Sequence, residues 1–211
     1  MTTISSPWPF AQWGIDIMGP LPQEKRQMKF LLVVIDYFTK WVEAEALATI
    51  TKAKVQNFVW KYIVCRFGIP RTIISDNGRQ FDSHGFRLFC SSLGIKNKYS
   101  SPGQTQANGK TEVTNWTLLN IIKSRLMGAK GAWPEELQSV LWAYRTTTRT
   151  PIVETPFNLT YSTEVVIPVK VGLTSLRRKF FDEQRNDDQL KLNLDCLDKV
   201  RDQASQRMAK Y

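Results

Sequence analysis

Three carboxylates, Asp16, Asp76 and Glu112, are the residues of this chain best suited to chemistry. They stand in the segments Trp-Gly-Ile-Asp, Ile-Ser-Asp-Asn-Gly and Asn-Gly-Lys-Thr-Glu, and 35 residues separate the second carboxylate from the third. Carboxylate oxygens are the hard ligands that Mg²⁺ and Mn²⁺ prefer. A pair of such ions can hold the attacking and leaving oxygens of a phosphoryl transfer. The pattern therefore predicts polynucleotidyl transferase chemistry.

The elements that must position these carboxylates follow from the hydrophobic periodicity. Short apolar or alternating runs predict strands at 11–17, 29–37, 41–47, 71–75 and 95–99, with the third as an edge strand exposed on one side. Helical spacing and helix boundary residues predict helices at 51–67, 83–93 and 134–144, and another that opens after the loop 100–109. Asp16 then lies on the first strand, Asp76 ends the fourth, and Glu112 lies in the first turns of a helix. This order favours an α/β layer fold.

Asp36 is an alternative to Asp16 as the first ligand, because it also ends an apolar strand. Residue types alone leave both open. Gly78 would permit a tight turn beside Asp76. His84 has no partner at metal-binding spacing, which indicates a surface or helix-capping residue.

Composition sets the class of partner. The chain has 211 residues, 42% of them hydrophobic, and 29 Lys and Arg against 19 Asp and Glu give a net charge of +10. This charge favours polyanions such as nucleic acid or an anionic membrane surface. No apolar run reaches the roughly 20 residues that cross a bilayer, and no secretory signal is recognisable. We therefore expect a soluble, intracellular, non-secreted protein, with Cys65, Cys90 and Cys196 as buried or inert thiols.

The C-terminal part differs in composition from the rest. Residues 177–211 carry nine basic and seven acidic residues. A narrow apolar stripe still marks one helical face, at Leu190, Leu194, Leu197, Ala204 and Met208. This favours either a solvated helix with a packing stripe or a linker or dimerisation helix. We predict a catalytic core at 1–173 and a charged helical tail or linker at 174–211.

The chain resembles the integrase catalytic core of gypsy-type LTR retrotransposon polyproteins, which are retroviral-type integrases. The resemblance spans nearly the whole chain. It rests on Pro-Phe-Ala-Gln-Trp-Gly-Ile-Asp at 9–16, Gly-Pro-Leu-Pro at 19–22, Asp-Tyr-Phe-Thr-Lys-Trp-Val-Glu-Ala at 36–44, Phe-Gly-Ile-Pro at 67–70, Asp-Asn-Gly then Gln-Phe at 76–81, Asn-Gly then Glu at 108–112, and Trp-Ala-Tyr-Arg-Thr-Thr at 142–147.

The resemblance implies an RNase H-like α/β fold, with a five-stranded mixed sheet flanked by helices and a charged C-terminal helix. It implies that Asp16, rather than Asp36, joins Asp76 and Glu112 as catalytic residues and ligands of two Mg²⁺ (or Mn²⁺) ions. Such integrases trim a 3′ end with water and then use the 3′-hydroxyl to attack target DNA. The implied partners are element and target DNA and further copies of the chain, in the nucleus, with no membrane and no small-molecule substrate.

Further polar residues near the implied site are expected to contact nucleic acid, where sugar and phosphate contacts position the substrate. They are Gln80, Gln106, Asn108, Lys110 and Asn115. Trp116 stands where the family commonly carries Arg or Lys, so one phosphate contact is expected to be absent.

Two departures from the family keep alternatives open. A His/His/Cys/Cys zinc module normally precedes this core, and we expect it to be missing, because His84 is the single histidine. The loop 102–109 is shorter than usual and lacks its second proline. The alternatives are a catalytically inactive nucleic-acid-binding remnant, an RNase H-like nuclease that cleaves without joining, and a domain retained for oligomerisation.

Overall fold

The computed structural model describes residues 8–99, 133–148, 153–162 and 191–210, with residues 6, 124 and 188 as isolated positions. The chain divides into two compact units, 1–144 and 145–211. The described strands are β1 Gln12–Met18, β2 Phe30–Asp36, β3 Val42–Leu47, β4 Thr72–Ser75 and β5 Lys96–Tyr99. The described helices are α1 Lys52–Val59, α2 Cys65–Phe67, α3 His84–Ser92, α4 Trp133–Thr146, α5 Pro156–Tyr161 and α6 Leu197–Lys210.

The five strands form one mixed sheet in the order β3-β2-β1-β4-β5. β1 pairs antiparallel with β2, and β2 with β3, whereas β4 is parallel to both β1 and β5. The five strands predicted from periodicity are confirmed within a residue or two, and β3 is at one edge, as predicted. Since β1 and β4 are parallel neighbours, their C-terminal ends lie at the same end of the sheet.

One face of the sheet packs against α4, and we call it the α4 face. Apolar side chains of the first three strands and of the connection after β1 meet apolar side chains of this helix there; the buried members are Met18, Leu21, Leu31, Val33, Ile35, Val42, Ala44, Trp133, Leu137, Leu141 and Tyr144. The Trp133 indole N–H donates to the Pro22 carbonyl over 2.9 Å. Pro134 occupies the first turn of α4, where a missing N–H costs no hydrogen bond.

The opposite face of the sheet packs against the helical segment 52–67. Thr51 caps α1 by accepting the Lys54 N–H, a π-helix at Trp60–Val64 joins α1 to α2, and Gly68 ends the segment with φ +87°. Trp13 lies with its ring centroid 5.4 Å from that of Phe67. The predicted helix and its glycine stop are confirmed, since φ in this region strains any other residue.

The exposure of several side chains departs from the sequence pattern, and the expectation for Glu43 is wrong. Glu43, predicted on the exposed side of the edge strand, is 3% exposed because its carboxylate accepts from the Trp41 indole and from Arg66 at 2.6 Å. Trp8 and Trp60, although they fall within apolar patterns of the sequence, are exposed. Of the three thiols, that of Cys90 is buried, whereas Cys65 and Cys196 are exposed, and their inertness stays a prediction. The periodicity of one segment does not show whether another element of the fold covers its side chains.

The second unit contains α5 and α6, which pack on each other. Thr155 caps α5 by accepting the Asn158 N–H over 3.0 Å. Leu159 and Ala204 are fully buried between the helices, and Arg201 donates to the Leu159 carbonyl over 3.2 Å. Part of the predicted apolar stripe thus packs within the unit. The predicted boundary at 173/174 lies outside the described residues and stays a prediction.

No helix among the described residues has the length and apolar content that crossing a bilayer requires.

Candidate active site

Asp16 stands near the C-terminal end of β1, opposite Val33 of β2 and on the α4 face of the sheet. Its carboxylate is half-buried, and its Oδ1 accepts the Ile17 N–H over 2.8 Å. Burial raises the pKa of this carboxyl, the Ile17 N–H lowers it, and the nearby charge of Asp76 raises it further. Asp16 is therefore held in a place where its negative charge is poorly compensated.

The local sequence before Asp16 suits this crowded position. A Cβ on Gly14 would come within 2.9 Å of Cε2 of the Tyr37 ring, which is itself buried. Only a glycine allows the strand and the ring to approach this closely without displacement. Gly14 thereby leaves room for the Tyr37 ring beside β1.

Asp76 is exposed and directly follows β4. Its Oδ1 accepts the Gly78 N–H over 3.0 Å, which closes a tight turn. A Cβ on Gly78 would lie 2.8 Å from Asp76 Oδ1 and 2.9 Å from Gln80 Cδ. Gln80 and Asp76 therefore flank Gly78 closely, and the space that they occupy is available because residue 78 has no side chain.

The sheet brings Asp16 and Asp76 together. Gly14 pairs with Ile74, and each aspartate stands two residues beyond one of these partners at the same end of the sheet. One oxygen of each carboxylate accepts a backbone N–H, and among the described residues neither carboxylate forms an ion pair. The two carboxylates thus lie at the same end of the sheet without a described cation to balance them. Each has a second oxygen that is available to a ligand.

Asp36 lies at the opposite end of the sheet, where it pairs with Trp13. It is fully buried, and its two oxygens accept from Phe10 N at 3.0 Å, Thr39 N at 2.7 Å and Thr39 Oγ1 at 2.8 Å. Burial raises its pKa to about 6 against the effect of these donors and of Lys40. Asp36 acts as a turn residue whose acceptors are already used, which argues against a role in binding a cation.

The remaining expected site residues fall outside the described residues. These are Glu112, Gln106, Asn108, Lys110 and Asn115. Within the part of the chain that the structure describes, no three His, Cys, Asp or Glu side chains gather closely enough to hold a metal ion. His84 is exposed in the first turn of α3, and Ser83 caps this helix by accepting the Phe86 N–H, as predicted.

Sequence reasoning missed a polar group at the far end of the turn that carries Asp76 and Gln80. Tyr99 pairs with Ser75, the residue before Asp76, and its hydroxyl is buried beside Asp82. Burial and Asp82 raise the pKa of this phenol. Asp82 also lies 3.8 Å from Arg87 of α3. The alternation in Lys-Asn-Lys-Tyr was the signal that Asn97 and Tyr99 face inward.

The carboxylate pair fits a hard divalent cation. The two negative charges repel each other, and no described cationic side chain lies between them. A bound cation would therefore stabilise the pair. All available donors are oxygens, the ligand type of Mg²⁺ and Mn²⁺.

Comparison with known proteins identifies the family. Residues 7–105 match the integrase core domain. Residues 7–105 belong to that family. The chain is 30% identical over 169 residues to the Gag-Pol polyprotein of avian reticuloendotheliosis virus, covering 80% of this chain and 14% of the polyprotein. It is 25% identical over 154 residues to the Tf2-3 transposon polyprotein of Schizosaccharomyces pombe, covering 72% and 12%.

Solved integrase structures share the fold. A chain of the simian T-cell lymphotropic virus intasome, in complex with PP2A regulatory subunit B56 gamma, has a TM-score of 0.62 at 22% identity and covers 79% of this chain and 59% of that one. The catalytic core domain of HTLV-2 integrase, in complex with magnesium, has a TM-score of 0.56 at 22% identity and covers 72% and 97%. The predicted RNase H-like fold is confirmed. The integrase core spans about one seventh or less of the polyproteins that it resembles.

Proposed function

We propose that this chain is the catalytic core of a retrotransposon integrase. In this proposal it is a polynucleotidyl transferase that processes 3′ ends and inserts element DNA into host DNA in the nucleus. The observation that carries the proposal is the convergence of Asp16 and Asp76 at the ends of two parallel strands, inside an integrase core domain. The net charge of +10 supports DNA as the partner.

Asp16 and Asp76 would hold the metal, and Glu112 is proposed as the third ligand. Bound Mg²⁺ or Mn²⁺, proposed as two ions, supplies charge neutralisation at the phosphate and lowers the pKa of the attacking water or hydroxyl. The Ile17 and Gly78 N–H groups orient the two carboxylates by bonding one oxygen of each. Gln80, which flanks Gly78 together with Asp76, would donate to a phosphate or sugar oxygen in this proposal.

Homo-oligomerisation is part of the proposal. The HTLV-2 integrase core is described in trimeric and dimeric forms, and the simian virus protein in an intasome. Gel filtration of the whole chain and of a chain ending at residue 176 would test whether the charged tail contributes to assembly.

The decisive experiment is a disintegration assay on branched DNA, the reverse of strand transfer, with Mg²⁺ or Mn²⁺. We expect the wild type to join ends and Asp76→Asn to lose joining by at least a hundredfold, because a metal ligand is removed. DNA binding should persist or tighten in the variant, since one negative charge is lost.

Each other outcome points to a different function. Metal-dependent cleavage without joining would indicate a nuclease. DNA binding without chemistry in either protein would indicate an inactive remnant. Full activity in Asp76→Asn would overturn the role of this carboxylate.

A further inference from the structure

β5, Lys96–Tyr99, carries two lysines whose side chains are exposed. Lys96 and Lys98 alternate with the half-buried Asn97 and Tyr99. β5 lies at the edge of the described sheet, opposite to β3. Neither lysine forms a hydrogen bond or an ion pair with another described residue through its side chain. Two cations thus stand side by side without a partner in the described part of the chain.

The register of the sheet places these lysines on the same face as Asp16. Lys96 pairs with Thr72, which pairs with Gln12, and Lys98 pairs with Ile74, which pairs with Gly14. Paired residues of neighbouring strands point to the same face, and residues two apart along a strand do so as well. Lys98 therefore belongs to the cross-strand row that comes directly before the row of Asp16 and Asp76.

The separation from the carboxylates is short. Strands lie about 4.8 Å apart and two residues along a strand span about 6.6 Å, so the Cα atoms of Lys98 and Asp76 are about 8 Å apart. The four-carbon side chain of lysine can cover most of that distance. A nucleic-acid strand held at the carboxylates would pass within reach of the Lys98 ammonium group.

The opposite side of β5 fixes this orientation. The Asn97 side chain lies beside Cys90 of α3, whose thiol is buried with its pKa raised to about 11, and the Asn97 amide atoms are buried as well. The Tyr99 hydroxyl is buried near Asp82, at the end of the Asp76 turn. Rotation of β5 about its axis would bury both lysines and expose these contacts. The lysines are consequently presented on the α4 face by the packing of the other two side chains.

We propose that Lys96 and Lys98 form a phosphate-binding track, the β5 lysine track, that holds the backbone of the DNA strand entering the active site. The inference rests on the proposed function, since DNA is the partner. Ammonium groups bind phosphates as point charges without reading sequence, which suits an enzyme that must accept many target sites.

Charge on an edge strand has another established role. Lysines there prevent pairing of the edge with a second chain. This role requires charge alone, whereas a phosphate track also requires released counterions on DNA binding. A salt titration separates the two roles, because only a phosphate contact changes its slope.

The test compares the wild type, Lys96→Gln/Lys98→Gln and a charge-matched control, Lys52→Gln/Lys61→Gln. The control lysines are exposed on the helical segment that covers the opposite face of the sheet. Binding to a fluorescein-labelled DNA duplex of mixed sequence is measured by anisotropy between 50 and 200 mM KCl, in EDTA. We expect the track variant to reduce the slope of log K against log salt by about 1.8, or 0.9 per lost phosphate contact.

With such a change, the factor by which DNA affinity falls between 50 and 200 mM KCl becomes about tenfold smaller than in the wild type. The control should keep the wild-type slope. If the track variant and the control keep the same slope, the inference is wrong even though DNA binding by the wild type upholds the proposed function. The inference would also be wrong if the track variant kept the wild-type slope and self-associated in sedimentation velocity. The two lysines would then only protect the edge strand from pairing with a second chain. Absence of DNA binding in the wild type would instead contradict the proposed function.

Discussion

At the scale of single residues, Asp16 shows the conflict between stability and a metal-binding role. A half-buried carboxylate next to Asp76 raises the free energy of the folded state unless a cation neutralises it. Asp36 resolves the same problem differently, because three donors from the chain satisfy its oxygens. Asp16 therefore remains suited to bind a cation, whereas Asp36, although it also ends an apolar strand, does not.

We predict that Asp16→Asn reverses its effect on stability when Mg²⁺ is added. Without metal the variant should unfold at a higher temperature than the wild type, because it lacks a charge that burial and Asp76 disfavour. With Mg²⁺ at a hundred times its Kd, the wild type should gain about 2.7 kcal/mol and become the more stable protein. Differential scanning calorimetry in EDTA and in MgCl₂ measures both.

Glu136→Gln, an exposed carboxylate of the same unit, serves as the control and should respond to Mg²⁺ as the wild type does. An equal gain from Mg²⁺ in Asp16→Asn and the wild type would contradict Asp16 as a ligand.

At the scale of elements, the turn between β4 and α3 positions Asp76 through its backbone. Gly78 donates to Asp76 Oδ1 and leaves room for Gln80. The turn ends at the capping residue Ser83 and is flanked by Asp82 beside Tyr99. A short connection anchored at both ends limits how far the carboxylate can move.

We predict that Gly78→Ala lowers disintegration activity about a hundredfold with little loss of stability. A Cβ would press on Asp76 Oδ1 at 2.8 Å and on the Gln80 side chain, and displacing a reacting group by about 1 Å can cost a hundredfold in rate. Steady-state kinetics and the midpoint of urea unfolding measure the two effects.

Gly85→Ala is the matched control, because a Cβ there would meet Lys52 at 3.5 Å and Gln56 at 3.8 Å, both ordinary contacts, and alanine is favourable in a helix. Wild-type rates in Gly78→Ala would show that the turn does not position the carboxylate.

At the scale of the whole molecule, the buried pair Asp36 and Lys40 links stability to pH. Burial raises the pKa of Asp36 to about 6 and lowers that of Lys40 to about 8, and each charge partly opposes the effect on the other. The Lys40 ammonium donates to the Tyr37 carbonyl over 2.9 Å. Both charges are thus tolerated in the folded state at neutral pH rather than favoured by it.

We predict that the free energy of unfolding of the wild type, relative to Asp36→Asn, falls as pH rises from 4 to 7. Between the unfolded pKa of 3.8 and the folded value of about 6, the folded state holds a proton that the unfolded state has lost, so raising the pH favours unfolding. The fall should be on the order of 3 kcal/mol.

Urea unfolding followed by tryptophan fluorescence measures it, because all seven tryptophans precede residue 145 and report on the first unit. A constant difference across this range would show that Asp36 is ionised in the folded state at pH 4. For Lys40 the sign is opposite, and its contribution to stability should rise between pH 8 and 10.5.

The sequence by itself determined the order and type of the elements. The apolar runs of β1 and β2, the alternation in β3, the 3.6-residue spacing of 52–67 and the stop at Gly68 are local patterns, and local patterns decide which faces a segment can bury. The α/β class and the nomination of Asp16 and Asp76 followed from residue types and a resemblance. The helix cap at Ser83 was equally readable, because a cap needs only its own first turn.

Only the tertiary structure decided which distant groups meet. Glu43 is buried because Arg66, 23 residues away, reaches it, and Trp60 is exposed because no described element covers it. Asp16 and Asp76 converge because β1 and β4 pair in parallel, and Lys96 and Lys98 share their face because β5 adds to β4 in one register. Strand pairing joins segments through backbone hydrogen bonds that carry no residue identity, so register is set by packing across the whole sheet.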